Sequence, residues 1–181
     1  MIYMFIAEGF EEIEALCPLD LMRRAGLNVR TVGIGSAEIC GAHGITVRTD
    51  MSDAEYDSLL DKSSDMIFLP GGMPGTLNLA SSNTVTGAIK KAVNDKKYIA
   101  AICAAPSILG DMGLLSGKEA ICYPGFEEHL KGAIISKKPC TTSKNVICAK
   151  GAGVSMVFGA AIVDYFKKGE GRKILDAMQH A

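Results

Sequence analysis

An α/β fold, a doubly wound and mostly parallel sheet with helices on both faces, is predicted by three observations. Short apolar runs of strand length alternate with segments of helical spacing. The runs are almost continuously apolar, as strands buried on both faces are. The first strand, helix and second strand together have the length of a βαβ unit, which builds parallel sheets.

The elements follow in order. Ile2 to Ile6 is an apolar strand, and from Glu11 the spacing turns helical through Ile13, Leu16 and Met22 until Gly26 closes the helix. Val29 to Val32 is a second strand ending at Gly33. Ile39 to Asp50 reads as two short strands around the turn Gly41-Ala42-His43-Gly44, an antiparallel excursion. Asp53 to Leu60 is weakly helical and Met66 to Leu69 is a buried strand. The run Pro70-Gly71-Gly72-Met73-Pro74-Gly75 turns the chain sharply and leaves amides exposed. A helix over Val85 to Val93 precedes the strand Tyr98 to Ile102, and another helix starts near Pro106, where the first turn needs no amide donor. Strand-like runs come at Ala120 to Cys122, Ala133 to Ile135, Cys140 to Thr142 and Val146 to Ala149, then helices over Val154 to Phe166 and Arg172 to Gln179. No repeat or linker divides the chain, so one domain over residues 1–181 is expected.

Composition narrows the function. Net charge is −1 and the basic residues are scattered, which excludes an electrostatic footprint for nucleic acid or an anionic membrane. Aromatic content is only 6%, too little for a base-stacking platform. The apolar runs fall far short of the roughly 20 residues of a membrane helix, and the opening strand lacks the basic flank of a secretory signal. A cytoplasmic, reducing setting is therefore expected. Six cysteines without a C-x-x-C pair or finger-spaced histidines read as free thiols and argue against a metal site. Gly33-Ile34-Gly35 lacks the third glycine of a dinucleotide fingerprint, and no cofactor is expected. His43, His129 and His180 read as surface or turn histidines.

In a doubly wound sheet, ligands bind beyond the carboxyl ends of the strands, so the loops after Ile6, Leu69 and Ile102 share one rim. On it, Ala101-Ile102-Cys103-Ala104-Ala105 has the form of a nucleophile elbow, with Ala101 and Ala105 as the small flanks and cysteine at the centre. The start of the following helix is expected to stabilise a thiolate at Cys103 and lower its pKa. Gly71, Gly72 and Ala104 offer amides for an oxyanion, although Gly71-Gly72 reads equally well as a tight turn. For Glu14, spacing favours a solvated acidic first turn that complements the helix dipole. The alternative is a Glu14 turned back toward the strand ends, neutral when buried beside a thiolate and able to move protons.

The runs Glu8-Gly9-Phe10-Glu11-Glu12-Ile13-Glu14, Asp20 to Gly26, Leu69-Pro70-Gly71-Gly72 and Ala101 to Pro106, in this order, resemble the ThiJ/PfpI superfamily, and within it the branch of the Parkinson's-disease-linked deglycase and bacterial YajL. The resemblance implies a flavodoxin-like homodimer with Cys103 as nucleophile, Glu14 as its protonated carboxyl partner, and Gly72 and Ala104 as oxyanion donors. It thus reverses the reading of Glu14 from spacing. It further implies cofactor-independent glyoxalase or deglycase activity on methylglyoxal, glyoxal or early glycation adducts of proteins or nucleotides. The rival implication is an oxidative-stress sensor or redox-regulated chaperone in which Cys103 becomes a sulfinate. Where much of the superfamily has a histidine before a proline, this chain has Tyr123 before Pro124, as YajL-like members do. That favours a two-residue Cys103/Glu14 mechanism over a Cys-His-acid hydrolase and leaves Tyr123 as an outlying residue of the site.

Overall fold

The computed structural model describes residues 1–180. Its strands are β1 (Ile2–Ile6), β2 (Val29–Gly33), β3 (Glu38–Cys40), β4 (Thr46–Arg48), β5 (Met51–Ser52), β6 (Met66–Leu69), β7 (Tyr98–Ile102), β8 (Glu119–Ala120), β9 (Ile134–Ile135), β10 (Cys140–Ser143) and β11 (Val146–Ala149). Its helices are α1 (Glu12–Arg24), α2 (Asp53–Ser58), α3 (Gly75–Ser81), α4 (Asn83–Asn94), α5 (Pro106–Asp111), α6 (Ser155–Phe166) and α7 (Glu170–Ala177).

The central sheet has the order β10-β11-β7-β6-β1-β2-β5, parallel throughout except that β10 runs antiparallel to β11. This is the predicted α/β, flavodoxin-like fold. Strand parity builds its two cores. Ile2, Met4 and Ile6, with Met66, Phe68, Ala100 and Ile102, face α1 and α6, whereas Tyr3, Phe5, Ile67, Leu69, Ile99 and Ala101 pack toward α4 on the other face. Both faces are covered, which is why the strands read as unbroken apolar runs. Where α1 crosses α6, Gly159 lets the backbones close up: a Cβ there would meet the Pro18 Cα at 3.0 Å.

The chain leaves β1 for β2 on one side and later returns to β6 on the other, so the topological switch lies between β1 and β6. Ligands of such sheets bind in the crevice at that point. The segments after β1, β6, β7 and β11 all emerge on its rim.

Two elements escaped the sequence reading. The two-residue β5 is too short for a pattern, and α3 begins at Gly75 with no side-chain cap, inside the stretch read as turn. The helix expected over Val85–Val93 is α4, longer at both ends and capped by the Ser82 hydroxyl. Among the described residues, no helix is long and apolar enough to cross a membrane.

Candidate active site

Cys103 is the residue at which β7 turns toward α5. Its φ is +64°, a left-handed conformation that few residues other than glycine adopt. The backbone on either side holds it there: its amide donates to Ala149 O at 2.9 Å, and its carbonyl accepts from the Tyr123 amide at 2.7 Å. Ala101 and Ala105, both fully buried, leave room for the reversal. The elbow expected from sequence is formed.

Glu14 lies in the first turn of α1 and is only 1% exposed. Its neighbours in sequence part company with it. Glu11 caps the helix, its Oε2 accepting the Glu14 amide at 2.7 Å. Glu12 turns to the β3–β4 hairpin, where its carboxylate takes the His43 amide and ring Nδ1, each at 2.7 Å. Glu14 points beneath the strand ends, and Oε2 accepts the Gly71 amide at 3.1 Å. Its carboxyl group faces the Cys103 side chain and the Ala152 amide. The solvated first turn favoured by spacing is therefore not what forms.

The Cys103 sulfur faces the amides of Ala104 and Gly72. Gly71 departs from expectation, because its amide is taken by Glu14 and is not free for an oxyanion. Gly72, at φ +95°, must be glycine both for that conformation and because a Cβ would run into the backbone of Phe10 and Glu11. Tyr123 is an exposed wall residue that meets the elbow through its backbone. Sequence reasoning missed Ala152 and Gly151, although the stretch Gly151-Ala152-Gly153 between a strand and a helix repeats the punctuation that drew attention to Gly71-Gly72.

Burial pushes Glu14 up to about 7; the charge of Glu11 adds to this, while the hydrogen bonds from Cys103, Gly71 and Ala152 oppose it. Burial also pushes Cys103 up, helped by the charge of Glu14 and the hydrogen bond between them, against the pull of the two amides. The lowered thiol pKa expected from the helix dipole is thus overturned. The helix that was to supply it, α5, has only six residues and begins three positions after Cys103. The two groups are coupled: when Glu14 takes up a proton, the repulsion by which its charge raises Cys103 vanishes. Burial lifts Cys122, Cys140 and Cys148 to about 11, 11 and 12, with the charge of Glu127 adding to the rise at Cys122.

Comparisons with known proteins identify the family. Residues 1–165 match the model of the DJ-1/PfpI family. The chain belongs to that family. DJ-1 homolog B of Arabidopsis thaliana is 33% identical over 163 residues, 89% of this chain. The chain spans only 36% of that relative's length and 41% of the related homolog A. A Thermococcus kodakarensis protein named as a deglycase is 30% identical over 127 residues, 70% of this chain and 74% of that one. The solved structure of oxidized Toxoplasma gondii DJ-1 superposes with a TM-score of 0.93 at 27% identity, covering 99% of this chain and 98% of that one.

Proposed function

We propose that this DJ-1/PfpI protein is a cofactor-independent glyoxalase or deglycase acting on methylglyoxal, glyoxal or early glycation adducts. The observation that carries the reading is the buried Glu14 carboxyl, set beside Cys103 across Gly71 and pushed up to about 7 by burial. A general acid–base group is most effective when its pKa lies near the working pH.

With methylglyoxal, the Cys103 thiol gives its proton to the Glu14 carboxylate as the sulfur adds to the aldehyde carbon, and the carbonyl electron pair moves to oxygen, where the Gly72 and Ala104 amides receive it. Glu14 delivers a proton to this oxyanion, giving a hemithioacetal. As carboxylate it then removes the C1 proton and returns it at C2, while the C1 hydroxyl proton passes to the C2 oxygen, so that C1 is oxidised to a thioester and C2 reduced to an alcohol. Water cleaves the thioester to lactate and restores the thiol. The sum is one methylglyoxal and one water to one lactic acid, with no external oxidant or reductant.

The amides of Gly72 and Ala104 equally suit a sulfinate, which supports a second reading of Cys103 as an oxidant sensor or the switch of a redox-regulated chaperone. In either role we place the chain in the cytoplasm as one domain, paired with a second copy. Ile13 and Ile45, both more than half exposed, and Val157 supply exposed apolar side chains for that pairing. Lactate formation from methylglyoxal by wild type, Cys103→Ser and Glu14→Gln, in thiol-free buffer with intact mass recorded before and after, tests the proposal. Turnover in the serine variant equal to wild type would sink it. Absent turnover, with peroxide adding two oxygens at Cys103 alone, would establish the sensor.

A further inference from the structure

Beside the Cys103–Glu14 pair lies an open cavity of ≈ 420 Å³ lined by Tyr123, Pro124, Lys150, Val154 and the segment 151–153. Gly151 joins it to the pair: a Cβ there would stand 3.8 Å from Glu14 Oε1 and 3.4 Å from the Tyr123 ring. The next amide, that of Ala152, faces Glu14 and helps to hold its pKa down. Space one residue away from the catalytic carboxyl, on the far side of Gly151, is where the rest of a substrate extends. A three-carbon aldehyde, the size of a few waters at about 30 Å³ each, fills little of it.

The walls define the chemistry of that remainder. Tyr123, Pro124 and Val154 are apolar surfaces, and Lys150 is the one charged residue among those lining the cavity. A second concavity of ≈ 290 Å³ shares Pro124 and Lys150 and adds Lys137 and Glu127. The Glu127 carboxylate is occupied by the Gly125 amide at 2.7 Å. Among the described residues Lys150 makes no ion pair, whereas Lys131 and Lys138 are paired with Asp111 and Glu119. The edge where the two concavities meet is therefore cationic, and a neutral substrate leaves it unanswered.

We propose that the site takes a reactive carbonyl compound with an anionic tail, a carboxylate or a phosphate, whose body lies against Tyr123 and Val154 and whose charge is read by Lys150. The inference rests on the aldehyde chemistry proposed above and makes Lys150 its specificity-determining residue. Matched aryl glyoxals test it: phenylglyoxal, 4-carboxyphenylglyoxal and the corresponding aryl phosphate. For a solvent-accessible ion pair, wild type is expected to prefer an anionic compound over the neutral parent in kcat/KM by about three- to fivefold, through KM. The preference falls to about one in Lys150→Met, inverts in Lys150→Glu and shrinks as salt rises. The larger of the two anionic preferences separates a carboxylate-bearing from a phosphate-bearing substrate. An equal preference in wild type and Lys150→Met, or none in wild type, overturns the assignment.

A second readout needs no turnover. Alkylation of Cys103, mapped by peptide mass, is compared for iodoacetate and iodoacetamide in the same three proteins. A rate ratio that favours iodoacetate in wild type and collapses in Lys150→Met supports the anion subsite even where no glyoxal is consumed, in which case the aldehyde chemistry alone fails. A ratio indifferent to residue 150 rejects the subsite.

Discussion

Gly71 separates Glu14 from Cys103 by the space of a single methyl group: a Cβ at that position would lie 2.6 Å from Glu14 Oε2 and 2.7 Å from the Cys103 Cβ. Glycine is required there by proximity to the pair. Gly71→Ala must push the carboxyl away from the sulfur or distort the elbow. Overpacking of this kind costs about 1–3 kcal/mol, and displacement of reacting groups by about 1 Å costs on the order of 100-fold in turnover. Urea unfolding together with lactate formation checks both. An alanine variant with wild-type turnover would show that the pair does not depend on its spacing.

Replacing Glu14 by glutamine keeps the volume and removes the charge. Because the Glu14 charge is one of the causes that raise the Cys103 pKa, the thiol in Glu14→Gln should titrate at lower pH than in wild type. The pH profile of Cys103 alkylation by iodoacetamide is expected to move to lower pH, while turnover falls by about 100- to 10,000-fold through loss of the proton carrier. More thiolate with less catalysis would separate the two roles of the carboxyl. A profile that stays in place would mean that Glu14 does not govern the thiol.

Glu14 also makes the fold sensitive to pH. Its folded pKa of about 7 exceeds the ordinary value of 4.5, so between those values the folded state holds the extra proton. Stability is then full below 4.5 and is lost as pH rises through 7. From pH 5 to pH 8 the loss from this group is about 2–3 kcal/mol, at 1.36 kcal/mol per unit. Urea unfolding of wild type at the two pH values should show the difference, and Glu14→Gln should lack it. An equal slope in both proteins would place the titration elsewhere.

The order of strands and helices was legible because burial on both faces leaves a continuous apolar signature, and the elbow was legible because small flanks at Ala101 and Ala105 are a local requirement. The fate of the acidic turn was not. Glu11, Glu12 and Glu14 share one turn, but partners far along the chain, His43, Gly71 and Ala152, decide which is exposed, paired or buried. The same holds for the Cys103 pKa. A helix dipole can be read locally, whereas the burial that outweighs it comes from β11, α1 and the Gly71-Gly72 turn, which meet only in the fold.

Gly151 offers a test of the approach to Glu14. Its φ of 163° is extended backbone open to any residue. A Cβ added there would meet a tyrosine ring at 3.4 Å and the Glu14 carboxyl at 3.8 Å rather than packed backbone. Valine at this position places two methyl groups between the Tyr123 cavity and Glu14 without straining the chain. The position is buried, so the added methyls pack against Tyr123 and Glu14 at a cost of about 1–3 kcal/mol, and the melting temperature is measured beside turnover to separate the two effects. Turnover should fall by about tenfold or more as substrate loses its approach to the acid, and iodoacetamide should reach Cys103 more slowly. If the valine variant keeps wild-type turnover, substrate does not enter past Gly151, and the approach must lie on the Gly72 side of the sulfur.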